Sequence, residues 1–191
     1  MIRGSIAVFA VIALLVTTMA VLASTPKDST KKAPDEPVNW QAMGACLPEK
    51  VEGMKVSELD GQMLEMANPM NPSEKFFYSV AERTYTFQKD KDKEITLGVQ
   101  DTHYNQMLLA PFTMAMTYDS PEGGIKTIEI NEQPAKVFLE KDDGKITDIR
   151  CMMLVGERLL LGAEADGNVT EEEITDLMTK VDFKGLVKLV K

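Results

Sequence analysis

The strongest constraint on how this chain can fold is a succession of short alternating runs, each closed by a turn signal. Ile125–Ile130, Ala135–Glu140 and Ile146–Val155 follow one another, with Asp142, Asp143 and Gly144 between the last two. Gly156, Glu157 and Arg158 then make a tight turn into Leu159–Ala165. A period of two predicts half-buried strands, and connections this short join antiparallel neighbours. The signature also occurs earlier. Met54–Leu59 reads as a strand. Phe76–Phe87 sets Phe77, Tyr85 and Phe87 among polar residues, Asp90–Glu94 is a charged hairpin tip, and Ile95, Leu97 and Val99 alternate on the returning strand. The count is about seven strands. Residues 60–75 carry Asn68-Pro69 and Asn71-Pro72 and read as a loop.

Helical periodicity marks three other segments. Asn39–Leu47 puts Trp40, Met43 and Leu47 on one face, and Pro48 ends it. Met107, Leu108, Met114 and Ala115 recur at helical spacing, with Pro111 bending or splitting that helix. The last runs from Glu171 to about Lys180. Its stripe is Ile174, Leu177, Met178 and Val181, and Thr170 with Glu173 forms a capping box at its start. A sheet with an apolar face needs cover, and these helices are the available cover. The expected fold class is therefore α+β, an antiparallel sheet covered by helices, in a single globular domain over 39–191.

The chain before residue 39 has a different character. Arg3 is the only charged side chain before Lys27, and Ser5–Ala23 carries no charge. A basic start, an apolar stretch and small residues ahead of Ser24 describe a secretory signal peptide, with Val21 and Ala23 three and one positions before the cut. The stretch is also long enough for an uncleaved membrane anchor, which needs roughly 17–25 residues. Both readings export the domain to the periplasm or another extracytoplasmic face, soluble or anchored. Residues 24–38 hold Pro26, Pro34, Pro37, Lys27, Lys31 and Lys32 and no aromatic. Such a segment buries too little apolar surface to offset ordering and reads as a flexible linker.

Charge excludes one class of partner. The chain carries a net −9, and removing residues 1–23 takes away Arg3 and no acid, leaving −10 on 168 residues. That surface has no basic footprint for nucleic acid. It approaches a membrane only through the N-terminal segment. Two cysteines, Cys46 and Cys151, make a possible disulfide in an exported chain; two buried thiols are the other reading.

Few residues suggest chemistry. Met63, Met66 and Met70 are soft thioethers that suit Cu(I), or apolar side chains that fill gaps in a core. Asp101, His103 and Tyr104 stand at a strand end, where His103, the single histidine, could act as a general base or Asp101 could simply make a turn. No nucleophile is recognisable beside them. Residues 162–173 imitate a calcium loop, with Glu164, Asp166, Gly167, Thr170 and Glu173 in place, but Gly162 stands where the first ligand belongs. Asn168 opens a formal glycosylation sequon that overlaps the helix cap.

Residues 82–86 (Glu82 to Thr86), Ile95–Asp101, Met107–Phe112, Met152–Arg158 and Val181–Phe183 together resemble small exported bacterial proteins of uncharacterised function. Their element order is similar to the PsbP/Mog1-like α/β/α sandwich. The resemblance spans roughly residues 45–187 and rests on turn and core residues, none of them catalytic. It implies an accessory or binding protein more than an enzyme. The expectation is a non-enzymatic envelope module binding a protein or small ligand, with no cofactor. The alternatives are an exported metal-binding protein using the methionine cluster and a hydrolase with its site near His103.

Overall fold

A computed structural model describes residues 36–67, 75–103, 109, 112 and 117–191. Nine strands form one antiparallel sheet: β1 (Met54–Val56), β2 (Asp60–Ala67), β3 (Lys75–Phe87), β4 (Glu94–Asp101), β5 (Tyr118–Ser120), β6 (Gly123–Ile130), β7 (Gln133–Asp142), β8 (Lys145–Val155) and β9 (Leu159–Asp166). Among the described residues three helices with full bounds accompany it: α1 (Trp40–Gly44), α2 (Glu171–Thr179) and α3 (Phe183–Leu189). The described part of the chain is thus α+β and rich in sheet.

The sheet consists of two meanders that meet in the middle. β1 to β4 form one and β5 to β9 the other, and they join where β4 pairs with β9. Three tight turns shape the second meander. Asn131 and Glu132 (φ 49 and 64), Asp143 and Gly144 (φ 48 and 74), and Gly156 and Glu157 (φ 62 each) all take left-handed backbone. Two consecutive residues of this kind match the right-handed twist of a hairpin, so each turn sets the register of the strands around it.

Register places the apolar residues on one face. Tyr85 lies opposite Ile95, Leu97 opposite Ala163, Cys151 opposite Ala163 and Val137, and Met153 opposite Leu161. These residues form one buried cluster with Met43 and Leu47 near α1, Ile174, Leu177 and Met178 of α2, and Leu186 of α3. Burying one such side chain contributes about 1.5–3 kcal/mol. Asn39 caps α1 through its Oδ1, and Thr170 and Glu173 make the reciprocal capping box on α2. The Trp40 ring stands over Gly61, where an added Cβ would lie 2.4 Å from it, so α1 packs directly on β2.

The expectation of about seven strands is corrected to nine among the described residues. β5 is three residues long and shows no periodicity. β2 occupies ground read as loop, while Met54–Leu59 yields a strand only to Val56. The cause is a break between β1 and β2, which both pair with β3. Ser57, Glu58 and Leu59 oppose only Arg83 and Thr84, and the bulge is held by Arg83 Nη1 and Thr84 N donating to Ser57 at 2.9 Å each. α3 was not anticipated; Asp182 caps it. The segment at 1–23, most of the linker, the Asn-Pro loop at 68–72 and most of the central helical segment lie outside the described residues. Leu109 and Phe112, its two described positions, are helical. No helix among the described residues is long and apolar enough to cross a membrane.

Glu132 is exposed and adopts a conformation that costs about 1–2 kcal/mol for a residue with a Cβ. Glu132→Gly completes an Asn-Gly hairpin turn. After the entropy of glycine in the unfolded chain is subtracted, it should raise stability by about 0.5–1 kcal/mol. A higher urea midpoint at unchanged slope is the expected result.

Candidate functional site

Two of the residues singled out at the end of β4, Asp101 and His103, lie at a buried ion pair. Arg158 Nε donates to Asp101 Oδ1 and Arg158 Nη2 to Asp101 Oδ2, both at 2.7 Å, and each side chain is 1% exposed. Asp101 also accepts from the main-chain nitrogens of Val38 (2.8 Å) and His103 (2.9 Å). Arg158 Nη2 donates to the Glu36 carbonyl at 2.8 Å, and Thr102 donates from N and Oγ1 to the Arg158 carbonyl. Ser79 closes the ring by donating to the Val38 carbonyl at 2.6 Å. The end of the segment expected to be a free linker, residues 36–38, is therefore bound to the core.

This arrangement bears on His103. Its main chain, not its ring, contacts Asp101, so the carboxylate holds Arg158 and orients no imidazole. The ring sits edge-on to Phe77 with centroids 5.6 Å apart, and Nε2 is buried without a hydrogen-bond partner. Tyr104 lies outside the described residues.

A second polar group lies on the sheet face away from the three helices. Asp60 of β2 is directly opposite Glu82 of β3, and Gln100 of β4 is a diagonal neighbour on the same face. Glu82 is 7% exposed, and its carboxyl is pushed up to about 7, first by burial, then by the charges of Asp60 and Glu164. Burial, followed by Glu82, raises the Tyr78 hydroxyl to about 12. Gln100 is 4% exposed and its Oε1 has no partner. Farther along this face, Arg150 pairs with Asp148 at 2.9 Å and with Glu140.

Met63 lies opposite Ser79 and is 52% exposed, Met66 lies opposite Phe76 at a register position of the other parity, and Met70 lies outside the described residues. Among the described residues no group of three or more His, Cys, Asp or Glu is arranged to hold a metal ion. The calcium-like segment is a strand end, a turn and a helix cap, and the capping box expected at Thr170 and Glu173 is present. Glu164 and Asp166 belong to β9, Gly167 takes φ 80 against the Asp92 carbonyl, and Glu173 binds Lys93 at 2.8 and 2.9 Å while capping α2. Burial opposes ionisation of Glu173, but its bonds to Lys93 and Thr170 hold its carboxyl below the usual range. A shallow groove of about 260 Å³ beside this turn is lined by Ile146, Asp148, Asn168 and Glu171 among others.

Cys46 and Cys151 are free thiols rather than a bridge. Cys46 Sγ donates to the Ala42 carbonyl at 3.6 Å, and Cys151 is buried in the helix-covered face of β8, where burial raises its thiol to about 12.

The edge beside β3 is the remaining feature. Among the described residues β2 pairs with β3 alone, leaving its outer side without a neighbouring strand. Met63 (52% exposed) and Leu64 (45%) stand at its centre, opposite Ser79 and Tyr78 and so on opposite faces of the sheet. Residues 57–67 contain Glu58, Asp60 and Glu65 and no Lys, Arg or Pro.

No family model, no curated protein and no solved structure matches the chain.

Sequence reasoning missed Arg158, Glu82 and Leu64. Arg158 follows a Gly-Glu turn, a place where exposure is the ordinary outcome. Glu82 sits in a polar-looking stretch of β3. Leu64 was assigned to a loop.

Arg158→Met leaves the Asp101 carboxylate buried and unpaired. It should lower stability by about 3–5 kcal/mol, and hydrogen exchange at the Val38 amide should accelerate with it. The Asp101→Leu/Arg158→Met double variant should recover part of that loss. Glu82 carries a pH signature of known sign. Its folded value of about 7 exceeds the reference 4.5, so the folded state binds the proton more tightly. Its contribution is present below pH 4.5 and is lost as pH rises toward 7. Urea titrations across that window should show the native chain losing about 1–3 kcal/mol relative to Glu82→Gln.

Proposed function

We propose that this chain is a non-enzymatic binding module of the cell envelope, exported by its N-terminal segment, which engages a protein partner along the outer edge of β2. The observation that carries the reading is the composition of that edge. Soluble proteins blunt edge strands by keeping them short or by placing lysine, proline or a bulge on them. The neighbouring β1 follows this practice: it has three residues, an exposed Lys55 and a bulge after it. The opposite edge, β5, is also three residues long. β2 has eight residues and two exposed apolar side chains at its centre. An extended segment laid on such a strand gains main-chain hydrogen bonds, with apolar contacts to Met63 on one face and Leu64 on the other.

The α/β/α sandwich is part of the same proposal. Val80, Met152 and Leu160 are buried on the face away from α1, α2 and α3, which supports cover on both sides of the sheet.

A photoreactive residue placed at Leu64 should give a defined protein adduct in the intact envelope, and one placed at Glu129 should not. Equal adducts at both positions would overturn the reading, as would turnover of an ester, phosphate, glycoside or peptide substrate by the purified protein.

A further inference from the structure

We infer that Asp60, Glu82 and Gln100 form a binding site for a hard divalent cation with oxygen ligands, on the sheet face away from α1, α2 and α3. The site is independent of any partner along the outer side of β2.

Register brings the three residues together. Asp60 of β2 is opposite Glu82 of β3, and Glu82 is opposite Gly98 of β4. Gln100 stands two residues beyond Gly98 on the same face, within diagonal reach of a long side chain. Gly98 in turn faces Gly162 of β9, so the strip beside Glu82 carries no side chain across two strands.

The three residues offer acceptors. Glu82 is 7% exposed, and no hydrogen bond reaches its carboxyl among the described residues. Gln100 is 4% exposed, and its Oε1 is buried without a partner. Asp60 Oδ1 accepts from the Gly61 nitrogen at 2.7 Å, which leaves Oδ2. A buried oxygen with no donor is rare in a native protein and points to a bound group. The surrounding charges agree. Glu164 of β9 adds its negative charge to that of Asp60. Arg150 of β8 faces Glu164 but is bonded to Asp148 and Glu140, and Lys136 of β7 lies beyond Met152. Tyr78 of β3 keeps its proton and adds no charge.

A divalent cation answers all of this at once. Carboxylate and amide oxygens are the ligands of calcium and magnesium, and softer metals prefer sulfur or imidazole, which this set lacks. Asp60 is exposed, so water reaches the border and completes the coordination. Two carboxylates and one amide make a weak site, with a dissociation constant on the order of 10⁻⁴–10⁻³ M.

The test titrates calcium, and separately magnesium, into the full exported chain after chelation, by calorimetry and by urea unfolding. At about pH 7.5 at least one ion should bind at a single site and raise the urea midpoint. At about pH 5, where Glu82 holds its proton, binding should weaken at least about tenfold. Glu82→Gln, expected to be the more stable chain near pH 7 without metal, folds and should lose the midpoint shift. Asp60→Asn and Gln100→Met should each weaken binding at least about tenfold. Equal binding by the native chain and Glu82→Gln shows adsorption to the acidic surface and overturns the site. Absence of binding up to about 10 mM of either ion also overturns it, leaving a proton as the only relief for Glu82. Unchanged binding in Gln100→Met overturns the three-residue set.

Discussion

The buried pair of Asp101 and Arg158 joins the parts of this structure that are far apart in sequence. Asp101 ends β4, the last strand of the first meander. Arg158 precedes β9, which returns to pair with it. Their two 2.7 Å bonds close the β4–β9 seam at one end and hold Glu36 and Val38 where the chain enters the fold. A pair with both side chains 1% exposed forgoes the hydration of two charges. It is tolerated because nearly every lone pair is used: Asp101 accepts from Arg158 twice and from two main-chain nitrogens. The value of such a pair lies in what it positions more than in net stability. Here it fixes where the two meanders meet and where residues 36–38 run.

The two faces of the sheet carry different burdens. The helix-covered face is a continuous apolar layer from Tyr85 on β3 to Ile130 on β6, closed by Met43, Leu177 and Leu186. The other face mixes Val80, Met152 and Leu160 with Glu82, Gln100, Lys136 and Arg150, all buried. Opposed acids at Asp60 and Glu82 make the β2–β3 border costly in charge, and the Glu82 carboxyl is raised first by its burial and then by the charge of Asp60. The same strand pair exposes Met63 and Leu64. A border that is both acidic and apolar is poorly optimised for stability alone, which is how sites of interaction commonly differ from the rest of a surface.

Much of the fold was legible because its signals are local. The turn at Asp143 and Gly144, the turn at Gly156 and Glu157, the alternation of Ile95, Leu97 and Val99, and the capping box of Thr170 and Glu173 all appear where their residues require them. β2 was hidden because its pairing continues that of β1 only after a bulge, so no uninterrupted period marks it. The candidate site was scarcely legible. Arg158 reads in the sequence only as part of a tight turn, and Lys93 as part of a charged tip although it binds Glu173, eighty positions away.

The sequence by itself determined the alternation, the hairpin turns, the helix caps and the acidic balance, since each depends on backbone geometry or charge within a few residues. The tertiary structure decided the order in which strands lie side by side, and with it everything that depends on neighbours distant in the chain. Placing β9 between β4 and β8 buried Asp101 against Arg158. Placing β2 outside β3 set Asp60 against Glu82 and left Met63 and Leu64 exposed. These outcomes follow from long-range pairing and burial, which one strand's residues cannot encode without the strand beside it.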